Sequence, residues 1–98
     1  MTKQITCIIS GRVQGVLFRD FTLRNAKKLS LIGTVENLSE GTVKVIAKGE
    51  EGKLNIFLEK LKKGPLLSKV EDIKIEWSDS REEFKDFKIV YHGFLDHF

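Results

Sequence analysis

A chain of 98 residues, with 41% hydrophobic and 32% charged residues, has the length and composition of one folded domain. Its seven Phe and one Trp argue against intrinsic disorder, because a disordered chain would leave them in water. No apolar run approaches the ~20 residues that cross a bilayer. The N-terminus also lacks the apolar segment of a signal peptide. We therefore expect a single domain over residues 1–98 that does not act in a membrane.

The residues that form disulfides or bind metals are few. A single Cys cannot form an internal disulfide, which favours a reducing compartment, the cytoplasm. Cys7 lies within an apolar segment, and we expect it to be a small core residue. His92 and His97 stand near the C-terminus, and two His with one Cys do not make an ordinary structural zinc site. The sequence predicts no metal and no cofactor.

The net charge of +3 arises from 17 basic and 14 acidic residues, so the charges are mostly mixed. Part of the basic excess clusters where two helices are expected to end, at Lys27, Lys28, Lys60, Lys62 and Lys63. Cations at these positions complement the helix dipole. This explanation is favoured, and an anionic partner is the alternative.

The first half of the chain predicts a strand, a helix and a hairpin. Lys3 to Ser10 alternates as a strand does, and a loop with two glycines follows. From Phe18 to about Leu29, apolar residues repeat at helical spacing. Thr34 to Leu38 and Thr42 to Lys48 are two predicted strands joined by a short polar turn.

The second half predicts a helix and two strands. The clearest helical spacing in the chain is i, i+3, i+4, i+7, at Leu54, Phe57, Leu58 and Leu61. The dipeptide Gly64-Pro65 ends that helix. Val70 to Trp77 alternates as a strand, and Phe87 to Tyr91 is a last short strand.

The predicted order is strand, helix, strand, strand, helix, strand, plus a short closing strand. Two helices with apolar stripes must cover one face of one sheet. The compact solution is an α+β, two-layer sandwich of ferredoxin-like type with a mainly antiparallel sheet. This architecture hosts many functions, so it does not identify one.

The junction between the first strand and the first helix departs from two local rules. A helix start leaves backbone N–H groups without partners, and Gly15, Val16 and Leu17 cannot cap them with a side chain. Arg19 places a cation in the first turn, which the helix dipole disfavours by roughly 0.3–1 kcal/mol. An anion held by the N–H groups and the guanidinium would give the N–H groups a partner and offset the cost of the cation. The alternative is that water satisfies the N–H groups and Arg19 points outward.

The same run, Gly11-Arg12-Val13-Gln14-Gly15-Val16-Leu17-Phe18-Arg19, resembles the acylphosphatase family signature G-R-V-Q-G-V-x-F-R at all eight specified positions. Gly33-Thr34-Val35-Glu36-Asn37, followed by Gly41-Thr42-Val43 and Gly49, resembles the family's second motif, centred on an Asn at the end of a strand. The resemblance covers about residues 3–91, with the two motifs in the family's order.

The resemblance implies a ferredoxin-like hydrolase that cleaves the carboxyl–phosphate bond of acyl phosphates by in-line attack of water. It implies that Arg19 binds the phosphoryl group, Asn37 positions the water, and the Thr42 hydroxyl lies near that water. Arg19 and Asn37 are the implied catalytic residues. The implied substrate-binding residues are Gly15, Val16, Leu17, Phe18, Arg19 and Thr42.

Three positions depart from the family pattern. Thr34 replaces a frequent aromatic, Glu36 replaces a frequent Lys, Arg or Gln, and Ser30 replaces the usual Gly after the first helix. If the helix ends as in the family, Ser30 adopts a left-handed conformation. Glu36 is expected to face away from Asn37, since side chains alternate along a strand. The tail, residues 92–98, has no counterpart that we can assign.

Two other functions compete with hydrolysis. An RNA-binding domain of this fold would stack bases on aromatic residues of its central strands, but Thr42 to Lys48 contains none. A non-catalytic phosphate-binding or regulatory module is the second, and the presence of both Arg19 and Asn37 argues against it. The expected partners are an acyl phosphate and inorganic phosphate, without nucleic acid, and the expected state is a monomer.

Overall fold

The computed structural model describes residues 1–79 and 82–97. The described elements are β1 (Thr2–Arg12), α1 (Phe18–Lys28), β2 (Ile32–Asn37), β3 (Val43–Glu50), α2 (Glu51–Lys63), β4 (Lys69–Ser78), β5 (Phe87–Val90) and a short 3₁₀ helix (Phe94–His97). This succession confirms the predicted order of strands and helices. Of the predicted tail, Phe98 lies outside the described residues.

The sheet has the strand order β4-β1-β3-β2-β5. β1 pairs antiparallel with β3 and β4, and β2 pairs antiparallel with β3. β5 pairs parallel with β2, so the sheet is mixed, though mainly antiparallel as predicted. Two helices pack on the sheet, which confirms the two-layer ferredoxin-like architecture. Among the described residues, no helix has both the length and the apolar character needed to span a membrane.

The core lies between the sheet and the helices, because each element carries one apolar face. The sheet contributes fully buried side chains at Ile5, Cys7, Ile9, Val35, Val43, Val45 and Ala47. The helices contribute Phe18, Thr22, Ala26, Leu54, Phe57, Leu58 and Leu61. Burial of one large apolar side chain stabilises the fold by about 1.5–3 kcal/mol. Burial also raises the pKa of the Cys7 thiol to about 12, which is consistent with a protonated core residue.

The strand ends differ from the predicted ends where pairing, rather than alternation, decides them. β1 continues to Arg12 because Gly11 and Arg12 still pair with β4 beyond an irregularity after Ser10. β5 ends at Val90 instead of Tyr91. Because β1 extends to Arg12, the loop between β1 and α1 is shorter than predicted. Pairing with β4 fixes one end of this loop, and α1 fixes the other.

The C-terminal end of α1 has the geometry that the family resemblance implies for Ser30. Ser30 has a φ of 58°, in the left-handed region. The Ser30 N–H donates to Lys27 O at 3.1 Å, and the Leu31 N–H donates to Ala26 O at 2.9 Å. These are the two hydrogen bonds of a Schellman motif. Lys27 lies in the last turn, as predicted for cations near the negative end of a helix dipole.

Candidate active site

The loop between β1 and α1 turns sharply through two left-handed residues. Gly15 has a φ of 72°, and Leu17, the N-cap of α1, has a φ of 64° and a ψ of 22°. A left-handed conformation costs a non-glycine residue about 1–2 kcal/mol. Leu17 is also 73% exposed, so packing does not explain its conformation. Alternation of left- and right-handed residues turns successive N–H groups toward one point, which is a common anion-binding arrangement.

The start of α1 has no side-chain cap, as the sequence predicted. The first main-chain bond of the helix runs from Phe21 N to Leu17 O at 3.0 Å. The N–H groups of Phe18, Arg19 and Asp20 precede that bond and point out of the helix end. The Phe18 side chain is buried, so this residue anchors the turn and offers only its backbone to a ligand.

Asp20 modifies the electrostatic argument made from the sequence. It also lies in the first turn of α1, where a carboxylate complements the helix dipole. Its Oδ2 accepts from Arg24 Nε at 3.0 Å, one turn along the exposed side of the helix. The first turn therefore carries both signs of charge, and the Arg19 cation is less isolated than predicted.

A cavity of about 210 Å³ opens at this helix start. It brings together five of the predicted site residues, namely Gly15, Leu17, Phe18, Arg19 and Asn37. The rest of its lining comprises Val13, Asp20, Ile89 and Tyr91. Two predicted residues, Val16 and Thr42, are not part of this lining: Val16 packs against the core, and Thr42 lies in the turn between β2 and β3.

Asn37 is the last residue of β2 and lies opposite Val43 of β3. Its Oδ1 is buried and has no hydrogen-bond partner among the described residues. A buried acceptor without a partner costs roughly 1–3 kcal/mol, so such atoms are usually satisfied by water or a ligand. Asn37 lines the same cavity as Arg19, and its Oδ1 is an acceptor without a partner among the described residues.

Gln14 links the loop to the turn that follows β2. Its Nε2 donates to Leu38 O at 2.9 Å and to Thr42 O at 2.8 Å. The Thr42 Oγ1 is buried, without a partner in the described chain. Gln14 stands within the motif quoted from the sequence, but the sequence argument gave it no role because its two acceptors lie 24 and 28 residues away.

The Arg19 side chain is only 11% exposed, and its partners come from the C-terminal part of the chain. Nη1 donates to Asp96 Oδ1 at 3.0 Å, and Nη2 donates to the main-chain O of Asp96. The guanidinium also lies over the Tyr91 ring, 4.9 Å from its centre. The sequence predicts neither contact, since nothing in the local pattern at 91–96 points to an arginine 77 residues before Asp96.

The tail residues that reach Arg19 are themselves tied down. The His92 N–H donates to Asp96 Oδ2 at 2.7 Å, and His92 Nε2 lies 2.6 Å from Glu36 Oε2. The bond from the His92 N–H, with the Arg19 charge beside it, lowers the pKa of Asp96. Glu36, a departure from the family pattern, thus has a partner in the tail. No group of three or more His, Cys, Asp and Glu side chains that could hold a metal occurs in the described ranges.

Fold and site together define a small ferredoxin-like α+β domain whose candidate site lies at an uncapped helix start, facing a strand-end asparagine. The sequence model of the Acylphosphatase family matches residues 5–89. The chain belongs to the acylphosphatase family, whose curated members are hydrolases acting on acid anhydrides.

Two curated relatives and one solved structure illustrate the similarity. The acylphosphatase of Methanococcoides burtonii is 43% identical over 91 residues, covering 90% of this chain and 95% of the relative. That of Geobacillus thermodenitrificans is 41% identical over 93 residues, covering 95% and 99%. The crystal structure of acylphosphatase from Bacillus subtilis matches with a TM-score of 0.88 and 44% identity, covering 91% of this chain and 99% of that one.

Proposed function

We propose that this protein hydrolyses acyl phosphates to a carboxylate and inorganic phosphate, using the cavity between α1 and the end of β2. The observation that carries the proposal is the shared lining of that cavity by Arg19, the uncapped start of α1 and Asn37. These are the two kinds of group that phosphoryl transfer to water needs: positive charge for the phosphoryl oxygens and a polar group for the nucleophile.

The phosphoryl group binds against the backbone from Gly15 to Arg19. The N–H groups at the helix start donate to its oxygens, and the helix dipole favours its negative charge. The Arg19 guanidinium donates further charge-assisted bonds to the same oxygens. These groups are fixed before the substrate arrives, so they stabilise the charge that develops in the transition state without reorganising.

The water molecule lies on the opposite side of the phosphorus from the acyl group. Asn37 Oδ1 accepts a hydrogen bond from this water and holds it in line with the bond that breaks. The water oxygen bonds to phosphorus as the phosphorus–carboxylate bond breaks. The carboxylate leaves with the electron pair, and the released proton passes to solvent or phosphate. A carboxylate is a stable leaving group, so no general acid is required.

Hydrolysis of benzoyl phosphate tests this proposal directly. We expect saturable turnover that inorganic phosphate inhibits competitively, since phosphate is a product that fits the same N–H groups. A protein that binds phosphate but does not turn over benzoyl phosphate would instead be a non-catalytic module of the same fold.

We also propose that no metal ion takes part, because Arg19 and the backbone N–H groups already supply the positive charge that a cation would provide. Activity should persist after dialysis against excess EDTA. Loss of activity that zinc or magnesium restores would contradict this.

We further propose a cytoplasmic monomer that does not bind nucleic acid. β1 and β3, the central strands, have no aromatic residue on which a base would stack. Light scattering across a concentration series should give the mass of one chain, 11.2 kDa. Titration with single-stranded RNA should give no binding at physiological salt.

A further inference from the structure

Arg19 has its only described ion pair with Asp96 of the C-terminal 3₁₀ helix, which lies outside the residues matched by the family. The contact has two parts, because the side-chain oxygen and the main-chain oxygen of Asp96 accept from different guanidinium nitrogens. Such a pair fixes the plane of the guanidinium as well as its position.

Asp96 contacts Arg19 from outside the cavity. No described residue beyond Tyr91 belongs to the lining of that cavity, whereas Arg19 does. A guanidinium has five N–H donors, and Asp96 takes one from Nη1 and one from Nη2. Three donors remain, which is enough for a two-bond contact with a phosphoryl group. Asp96 lines a neighbouring cavity of about 480 Å³, which Gln14 and Asn37 also line, so its carboxylate holds Arg19 from beside the cavity at the start of α1.

The rest of the tail fixes Asp96 in turn. The second carboxylate oxygen accepts from the His92 N–H, which closes a tight turn, and the His92 ring contacts Glu36 of β2. The Tyr91 ring supports the face of the same guanidinium. Arg19, a long side chain with many rotamers, is therefore restrained at one edge and on one face.

We propose that Asp96 is a positioning residue for the reaction: it orients the Arg19 guanidinium toward the phosphoryl group. The inference rests on the proposed role of Arg19 in binding that group. Asp96 accepts two hydrogen bonds from the guanidinium, so we expect its effect on turnover to be transmitted through Arg19.

The test compares Asp96→Ala and Asp96→Asn with the wild-type chain in benzoyl phosphate hydrolysis and in inhibition by inorganic phosphate. Asp96→Ala should lower kcat/KM by about 10- to 100-fold, as a misoriented catalytic group does. It should also raise the phosphate inhibition constant. Both constants of Asp96→Asn should lie between those of Asp96→Ala and the wild-type chain, because the Asn amide oxygen still accepts a bond from Nη1.

Asp79→Asn is the matched control. Asp79 also pairs with a cation, Lys3, at 2.9 Å, but this pair is exposed and lines a different cavity. Its kinetics should equal those of the wild-type chain. Urea unfolding of every variant shows whether a kinetic change follows from lost stability, and the Asn variant covers the case in which Asp96→Ala does not fold.

Unchanged or higher turnover in Asp96→Ala, or tighter phosphate inhibition, would overturn the proposal, since the tail would then be neutral or would block Arg19. Arg19→Ala separates this failure from failure of the proposed function. If Arg19→Ala retains wild-type kinetics, the role of Arg19 is wrong. If Arg19→Ala is impaired while Asp96→Ala is not, only the positioning role is wrong.

Discussion

The two helices start in similar ways but have different surroundings. Neither α1 nor α2 has a side-chain hydrogen bond at its N-cap. The α2 N-cap, Glu50, has an extended backbone with a φ of −69°, and the next N–H, of Glu51, donates to Met1 O at 3.1 Å. The α1 N-cap, Leu17, is left-handed, and the N–H groups after it face a cavity.

The difference shows that a missing cap is not by itself a sign of function. At α2 the Met1 carbonyl accepts a hydrogen bond from one N–H of the helix start, that of Glu51. The Glu51 carboxylate also adds a negative charge that complements the helix dipole. At α1 the strained Leu17 turn, the nearby Arg19 and the facing Asn37 occur together. The combination, rather than the bare helix end, distinguishes a candidate site from an ordinary helix start.

Removal of the cation at the α1 start should have the largest effect. Arg19→Ala should lower kcat/KM by about 1000-fold, the upper range for loss of one stabilising group, because two phosphoryl contacts disappear together. It should also weaken inhibition by phosphate. Arg19→Lys should recover little, because an ammonium lacks the planar fork. Steady-state hydrolysis of benzoyl phosphate measures all three effects.

Arg24→Ala is the control for Arg19, since it removes an arginine from the same helix that pairs only with exposed Asp20 among the described contacts. Its kinetics should stay within about twofold of wild type, as expected for an exposed i,i+4 pair. Equal losses in the two variants would mean that general charge, not the helix-start geometry, governs activity.

Loss of the facing amide should come next and should affect a different parameter. Asn37→Ala should reduce kcat by about 100-fold through loss of one positioned polar group. The phosphate inhibition constant should hardly change, because Asn37 holds water and not phosphate. Asn55→Ala, at an exposed position of α2, provides a neutral comparison. Phosphate binding lost as badly as in Arg19→Ala would make Asn37 a substrate ligand instead.

Loss of the hydrogen bonds between the β1–α1 loop and the β2–β3 turn should have a smaller effect on turnover. Gln14→Met keeps the length of the side chain but removes the donors to Leu38 O and Thr42 O. The loop is then no longer bonded to the turn that follows Asn37, so its position relative to Asn37 is less fixed. We expect kcat/KM to fall by about 10-fold. Stopped-flow hydrolysis and urea unfolding should be measured together. Wild-type turnover in a variant that is clearly destabilised would show that Gln14 supports only the fold.

Substitution of Ser30 at the C-terminal end of α1 should change stability without changing catalysis. Ser30→Gly should raise the free energy of unfolding by about 1 kcal/mol, because Ser30 is left-handed and glycine adopts that conformation without strain. Ser30→Ala, which keeps a Cβ, should give no such gain. Both should hydrolyse benzoyl phosphate at the wild-type rate. A lower denaturation midpoint for Ser30→Gly would contradict the left-handed geometry.

Local pattern was enough for much of the fold and for the uncapped helix start at the candidate site. The spacing of Leu54, Phe57, Leu58 and Leu61 predicts α2, whereas the left-handed Ser30 was expected from the family resemblance. The absence of a cap before Phe18 is visible in the residues themselves. Such features depend on groups only a few residues apart, and these stay close in any compact state of the chain.

The sequence by itself determined the helix start, Arg19 near it and Asn37 at a strand end. The tertiary structure decided that Asn37 shares a cavity with Arg19, that Gln14 reaches two carbonyls beyond β2, and that Asp96 holds Arg19 from outside. It also set β5 parallel to β2, which brings the residues after Val90 close to Arg19. The reason is physical: periodicity and capping act within one or two helical turns, whereas these groups are 18 to 77 residues apart and come together only once the sheet has formed.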